Sequence, residues 1–195
     1  RPAVQTYNGT SYPFELDEQL SRQIRELAKT TGSTLYVTLL TAFQVLLLRY
    51  TGQDDILIGS PMLGRSRTEF EEIVGYFVNP IVLRTDMQGN PSFHELLQRV
   101  GHTVRAALDH QDYPFGQLVK RLQTERDSSR SPLFQVAFVL DKLYHQQSAV
   151  SGQLREQETF ITEILASEQR GAAFDLTLYV FDSGHGLSGL WQYNT

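Results

Sequence analysis

The chain has 195 residues, 41% hydrophobic and 20% charged, proportions that suit one soluble globular domain or one large lobe. Seventeen Lys and Arg against 22 Asp and Glu leave a net charge of −5, and the basic residues are scattered, so no nucleic-acid partner is expected. The absence of cysteine excludes disulfides, thiolate metal sites and a Cys nucleophile and fits a cytoplasmic protein; no segment reads as a signal peptide or a membrane span.

Residues 1–9, with Pro2 and Asn8-Gly9, read as a linker or leading strand. Asp17 is placed to cap a helix over 17–30, where Leu20, Ile24, Leu27 and Ala28 form one apolar stripe. The segment 34–50 is apolar almost all round and predicts a helix buried on several sides. A short strand at Ile56-Leu57-Ile58 is expected to stop at Gly59-Ser60-Pro61, followed by a short helix near 69–74 and a strand at 81–85. Ser92 and Glu95 form a capping box for a helix with Phe93, Leu96, Leu97, Val100, Val104, Ala107 and Leu108 on one face. Pro114 suits the start of a shorter helix that buries Phe115, Leu118, Val119 and Leu122. Alternation at Phe134, Val136, Phe138 and Leu140, and again at Phe174, Leu176, Leu178 and Val180, predicts two strands. Weaker strands are expected at 159–165 and 187–193, with a loop over 143–158. The fold class is therefore α+β, a mixed β-sheet flanked by four helices.

Read residue by residue, the sequence offers no self-sufficient active site. His94 and His102 lie opposite the apolar stripe of their helix and are expected in solvent, and His110 ends that helix, where an imidazole complements the dipole. His145 and His185 fall in loop-like segments without an evident partner. No metal-ligand spacing and no phosphate-cradling glycine loop is present. Asp54-Asp55 reads as a turn with a capping role, because neighbours on an extended chain point apart. Lys120, Arg121, Arg126 and Arg130 are interleaved with Glu125 and Asp127 and read as a solvated face.

Three segments stand in order along the chain. The first runs from Ile58-Gly59-Ser60-Pro61 through Gly64-Arg65 to Val74-Gly75-Tyr76-Phe77-Val78-Asn79 and Val82-Leu83-Arg84. The second is His110-Gln111-Asp112-Tyr113-Pro114-Phe115, and the third is Arg126-Asp127-Ser128-Ser129-Arg130-Ser131-Pro132-Leu133-Phe134-Gln135-Val136. In this order and spacing they resemble the C-terminal signature motifs of the condensation domains of nonribosomal peptide synthetases, and the resemblance covers essentially the whole chain.

The resemblance implies two lobes, each similar to chloramphenicol acetyltransferase, around a tunnel entered by the phosphopantetheine arms of a donor and an acceptor carrier protein. It makes 1–9 the inter-lobe segment, 10–195 the C-terminal lobe, and 141–173 the stretch expected to cross to the other lobe. The family's His-His-x-x-x-Asp-Gly motif belongs to the first lobe and does not occur in this sequence. No catalytic residue, metal or directly bound cofactor is therefore expected here, and these residues alone should be inactive. Gly75, Tyr76, Phe77, Asn79 and Arg84 are candidates for the tunnel or lobe interface, Gly75 allowing close approach and Asn79 fixing the turn through backbone bonds. His110, Asp112, Pro114, Phe115, Arg126, Asp127, Arg130 and Pro132 read as structural, the charged three holding the loop before the strand that follows. The expected partners are the first lobe, the two carrier proteins and adjacent synthetase domains, with self-association of the isolated lobe, and neither nucleic acid nor membrane. Pro80 and Gly116 depart from the commoner Thr and Glu, and they point to a subtype with an acyl or polyketide donor. Pro80 also suggests a strand that starts one residue later. The alternatives are a non-catalytic docking platform, or an epimerisation or heterocyclisation sister.

Overall fold

The computed structural model describes residues 2–65, 67–122, 127–142 and 170–195. Within them the order is β1 (Gly9–Glu15), α1 (Glu18–Thr30), α2 (Leu35–Thr51), β2 (Asp55–Met62), β3 (Asn79–Asp86), α3 (Phe93–Asp109), α4 (Phe115–Leu122), β4 (Val136–Lys142), β5 (Leu176–Asp182) and β6 (Leu187–Asn194). The strands form one mixed sheet in the order β1-β6-β5-β4-β2-β3. β4 runs parallel to β2 and β5, and the outer pairs are antiparallel. The expected strand at 159–165, the loop at 143–158, Arg126, and all of the crossing stretch except its two ends lie outside the described residues.

Local chemistry explains the helices. Asp17 accepts the Leu20 amide at 2.7 Å and Thr34 accepts that of Val37 at 3.1 Å, so each helix starts on a satisfied donor. The capping box of Ser92 and Glu95 closes in both directions. α2 buries Val37, Leu40, Phe43 and Leu47, together with Thr38, Thr41 and Gln44, as its all-round apolarity predicts. Its Gln44 side chain donates to the buried Thr85 hydroxyl at 2.9 Å and ties helix to sheet. Helices α2 and α3 pack one face of the sheet, where Ile58, Leu83, Phe138, Leu178 and Val180 meet Leu96, Leu97 and Val100.

The stripe expected on α1 is rotated. Ser21 and Ala28 are buried, while Leu20 and Leu27 remain exposed. The reason is a backbone bond: the Ser21 hydroxyl accepts the Leu187 amide at 3.1 Å and draws the small side of the helix inward. On the same side Arg25 makes a two-pronged contact with Asp182 at 2.8 and 3.1 Å, fastening α1 to the end of β5. These bonds hold the Asp182 carboxyl below the ordinary range, helped by the Gly184 amide and opposed by burial. A depressed carboxylate pKa contributes stability above the unfolded value, near pH 4, and that contribution is lost as pH falls through the folded value. Arg25→Ala should therefore cost about 1.5 kcal/mol at pH 7. In urea titrations the gap between variant and parent should shrink as pH is lowered from about 5 to 3. A gap independent of pH would show that Arg25 acts through packing alone.

Two strands depart from expectation at their ends. β2 does not stop at Gly59; it continues through Ser60 and Pro61 to Met62, paired with β3 so that Pro61 faces Pro80. β3 likewise begins at Asn79 and includes Pro80, not one residue later. Pro80 is tolerated because β3 is the edge of the sheet, and Pro61 because β2 is no longer paired with β4 beyond Gly59. The leading strand that residues 1–9 offered as one reading lies further along, as β1 at Gly9–Glu15; despite Pro13 it is a strand because β6 pairs with it over its whole length. The helix expected near 69–74 is a single tight turn, Thr68–Phe70. Arg65 donates to the carbonyls of Phe70 and Ile73, groups that a continuing helix would have used itself.

β2 and β4 pair only at Ile58–Val136 and Gly59–Ala137 and then part. The Ser60 hydroxyl bridges the gap, donating to the Phe138 carbonyl at 2.8 Å and accepting from the Tyr36 hydroxyl at 2.8 Å. Burial pushes the Tyr36 hydroxyl up to about 12, so it stays a donor at any physiological pH. By strand alternation, the sheet face opposite α2 and α3 carries the half-buried Leu57, Val82, Val139, Tyr179, Phe181 and Leu190.

Candidate functional site

The three signature segments, far apart in sequence, meet at one junction. Asn79, at the first position of β3, donates through its side-chain amide to the carbonyls of Gln111 at 2.8 Å and Tyr113 at 2.9 Å. Its side-chain oxygen accepts the Phe115 amide at 3.0 Å. The carboxamide thus caps α4 from a neighbouring strand and fixes the loop before it. Asn79 bonds backbone groups as expected, but those of the second segment and not of its own turn. His110 closes α3 by donating its amide to Ala107 and Leu108, and its carbonyl accepts the Tyr113 amide at 3.0 Å. Asp112 sits within that turn, and Pro114 offers its carbonyl to Gln117 and Leu118, opening α4.

The Phe115 ring then packs on Phe134 of the third segment, centroids 5.6 Å apart, and Phe134 packs on Phe174 at 5.0 Å. Phe134 lies directly against Gly59, where a β-carbon would come within 2.0 Å of the ring. The sharp approach to Phe134 is made by Leu133 in the left-handed region (φ 68°) and by the Pro132 carbonyl, which accepts the Phe134 amide at 2.9 Å. Gly59 belongs to the first segment, so the circuit closes: strand β2, aromatic ring, helix α4, Asn79, strand β3.

The loop from 63 to 78 is organised by Arg65, a residue of the first segment that was not among the expected site residues. Its guanidinium donates to the Phe70 and Ile73 carbonyls and lies 4.4 Å from the Phe77 ring centroid, while Phe77 stacks on Phe70 at 5.7 Å. An arginine just past a strand end, followed by a loop with two phenylalanines, was the available signal. Gly75 lies close to the Phe77 ring, which an added β-carbon would meet at 3.3 Å, and Gly64 makes a tighter approach: its φ is +65°, and a β-carbon there would lie 2.0 Å from the Phe77 carbonyl oxygen. Tyr76 and Val74 are 87% and 100% exposed, and Leu63 in the same loop is exposed as well.

Arg84 is not part of this cluster. It lies towards the other end of β3 and bonds Asp55 at 2.6 and 2.9 Å, holding the Asp55 carboxyl below its ordinary range. Asp127 accepts the amide and hydroxyl of Ser129 at 2.8 and 2.6 Å and pairs with Arg130 at 2.6 Å; these bonds, those from Ser129 first, lower its pKa. The described charged residues of the third segment therefore shape their own turn. His94 and His102 are exposed and rim a groove of about 790 Å³ between α2 and α3, floored by Val37, Leu97 and Val104. Among the described residues no three metal-type side chains converge. No single helix there is long and apolar enough to cross a membrane. The junction is built to hold elements together, and its chemistry is hydrogen bonding and ring packing.

The same architecture occurs in a four-domain nonribosomal peptide synthetase, holo-AB3403, with a TM-score of 0.86 and 26% identity over all of this chain and 15% of that one. It also occurs in the condensation domain of the Monacolin K polyketide synthase MokA, with a TM-score of 0.83 and 24% identity over 44% of that chain. The fold, a mixed six-stranded sheet flanked by four helices, is thus that of condensation-domain structures. Among curated proteins, a linear gramicidin synthase from Brevibacillus parabrevis is 48% identical over the whole of this chain, which spans 4% of that relative's length. Phosphinothricin tripeptide synthetase PhsB of Streptomyces viridochromogenes is 39% identical, with 16% of its length spanned. The family model for the condensation domain matches residues 1–195, and the chain belongs to that family.

Proposed function

We propose that this chain serves as the C-terminal lobe of a condensation domain of nonribosomal peptide synthesis. Such a domain joins a carrier-bound donor acyl or peptidyl thioester to the amine of a carrier-bound aminoacyl acceptor. The amine nitrogen attacks the thioester carbonyl, the C–N bond forms, the C–S bond breaks, and the donor thiol leaves with a proton. One observation carries the reading: all three signature segments are present and are tied into a single junction by Asn79, Phe115, Phe134 and Gly59.

The base belongs to the other lobe, and these 195 residues contain no His-His-x-x-x-Asp-Gly sequence. The sheet face carrying Leu57, Val139, Tyr179 and Phe181 lies opposite α2 and α3, and it is the surface on which the first lobe would pack; a second copy would use the same surface. The phosphopantetheine arms of the two carriers, as tethered substrates, would run between the lobes, in the cytoplasm, with adjacent synthetase domains alongside. Pro80 and Gly116 keep the reading of an acyl or polyketide donor.

The test is a condensation assay with both carrier-bound substrates. The 195-residue chain alone should give no amide by mass spectrometry, and fusion to a first lobe bearing the histidine motif should give product. Amide formation by the chain alone, or none from the fusion, would overturn the proposal.

A further inference from the structure

Residues 3–9 are not a free tether. The Ser128 hydroxyl donates to the Ala3 carbonyl at 2.8 Å, and the Ser128 carbonyl accepts the Gln5 amide at 2.8 Å, two rungs between the third signature segment and the leading chain. The Gln5 side chain donates to the Ala173 carbonyl at 3.0 Å. Beyond it, Ala172 donates to Tyr7 at 2.9 Å and Gly9 to Arg170 at 3.0 Å, with Asn8 bridged to Gly171. On the other side, Asn194 exchanges bonds with Thr6, donating to its carbonyl at 2.6 Å and accepting from its hydroxyl at 3.1 Å. The leading chain is therefore gripped by three different parts of the lobe.

What makes Ser128 able to hold two rungs is its turn. Asp127 accepts both the amide and the hydroxyl of Ser129 and pairs with Arg130, which leaves Ser128 at the tip with its carbonyl and hydroxyl free for residues 3 and 5. A hydroxyl and a carbonyl from one residue fix a direction as well as a position, because two bonds on neighbouring rungs remove rotation about either one. None of these partners belongs to a helix, so the grip adds little to the packing of helices on the sheet.

We infer that Ser128, presented by the Asp127–Arg130 turn, and Gln5 are positioning residues for condensation: they set the direction in which the chain enters this lobe and hence the angle of the preceding lobe across the reaction tunnel. The inference rests on the reading of the chain as one of two lobes. It gives the Asp127–Arg130 turn a purpose distinct from the core packing that Phe134 supplies further along the same segment.

The experiment uses the two-lobed fusion and compares the double variant Ser128→Ala/Gln5→Ala with Ser128→Thr and the parent; the two alanines remove the hydroxyl rung to Ala3 and the side-chain bond to Ala173 and leave the main-chain rung as a single pivot. Because small misplacements of reacting groups are costly, the double variant should lose about tenfold or more in kcat. KM for either carrier should stay within about twofold, and small-angle scattering should report a changed lobe angle, since the carrier surfaces are untouched and only the mutual placement of the arms is altered. Ser128→Thr keeps the hydroxyl and should keep the rate. The melting temperature of the 195-residue chain should move by less than about 3 °C, as expected for one or two exposed hydrogen bonds. A parent-like kcat in the double variant would overturn the inference, as would a loss of rate that tracks a loss of melting temperature with the lobe angle unchanged. A parent fusion that makes no amide would fail the underlying reading instead.

Discussion

Gly59→Val is expected to be the most damaging single substitution on the chain, lowering stability by about 3 kcal/mol or more. Gly59 is buried in mid-strand, paired with Val82 on one side and Ala137 on the other, so its backbone cannot step aside without breaking two ladders. A β-carbon there would sit 2.0–2.4 Å from three atoms of the Phe134 ring. That ring is itself confined between Phe115 and Phe174 and anchored by the tight turn at Pro132-Leu133. On a domain of this size the loss corresponds to a drop of about 6–12 °C in melting temperature. A double-mutant cycle isolates the cause. Gly59→Ala should be costly in the parent and nearly neutral when Phe134 is already alanine, because the small side chain removes the clash. An equal cost in both backgrounds would place the effect in the backbone instead of the ring.

What local pattern can encode was legible in the sequence. α3 was expected because its apolar residues repeat at helical spacing and its cap is local, Ser92 three residues from Glu95, and α2 because it is apolar almost all round. β4 and β5 were expected from alternation with bounds about two residues earlier, and β6, a weaker signal at 187–193, runs one residue further. The misses share a physical origin in contacts distant along the chain. β1 has Pro13 in its middle and becomes a strand only through β6. Ser21 outcompetes Leu20 for the interior of α1 because the Leu187 amide, at the far end of the chain, needs an acceptor. Gly59 looked like a strand stop, since a glycine reads as a breaker until the ring that fills its place is known.

The candidate site divides the same way. Family resemblance picked out Asn79, Phe115, Asp127 and Pro132, but not the joints between them. Nothing near Asn79 in sequence indicates that its partners are residues 111–115, and nothing near Ser128 indicates that it holds Ala3 and Gln5. Arg84 shows the opposite failure: it stands within a signature segment, yet its charge is spent on Asp55 in a surface pair. Such exposed pairs contribute little. Motif membership marked where to look, and the hydrogen bonds decided what each residue does.

Asn79→Ala should cost about 2–3 kcal/mol, because it removes three hydrogen bonds worth roughly 1 kcal/mol each, with water compensating in part at the exposed Tyr113 carbonyl. Asn79→Asp is the sharper variant. It preserves size and the oxygen that accepts the Phe115 amide, but it replaces a donor with a charged oxygen facing the carbonyls of Gln111 and Tyr113. If donation to those carbonyls is what holds the loop, the aspartate should be at least as destabilising as the alanine near pH 7, despite being nearly isosteric. Hydrogen exchange separates the two halves of the clamp. In Asn79→Ala the Phe115 amide should lose protection, since its acceptor is gone, while amides in the middle of α3 keep theirs. In Asn79→Asp the Phe115 amide should stay protected more than in the alanine variant, because a carboxylate is the stronger acceptor and favours a helix start. An alanine variant within about 0.5 kcal/mol of the parent, with Phe115 protection unchanged, would mean that ring packing on Phe134 alone holds the junction.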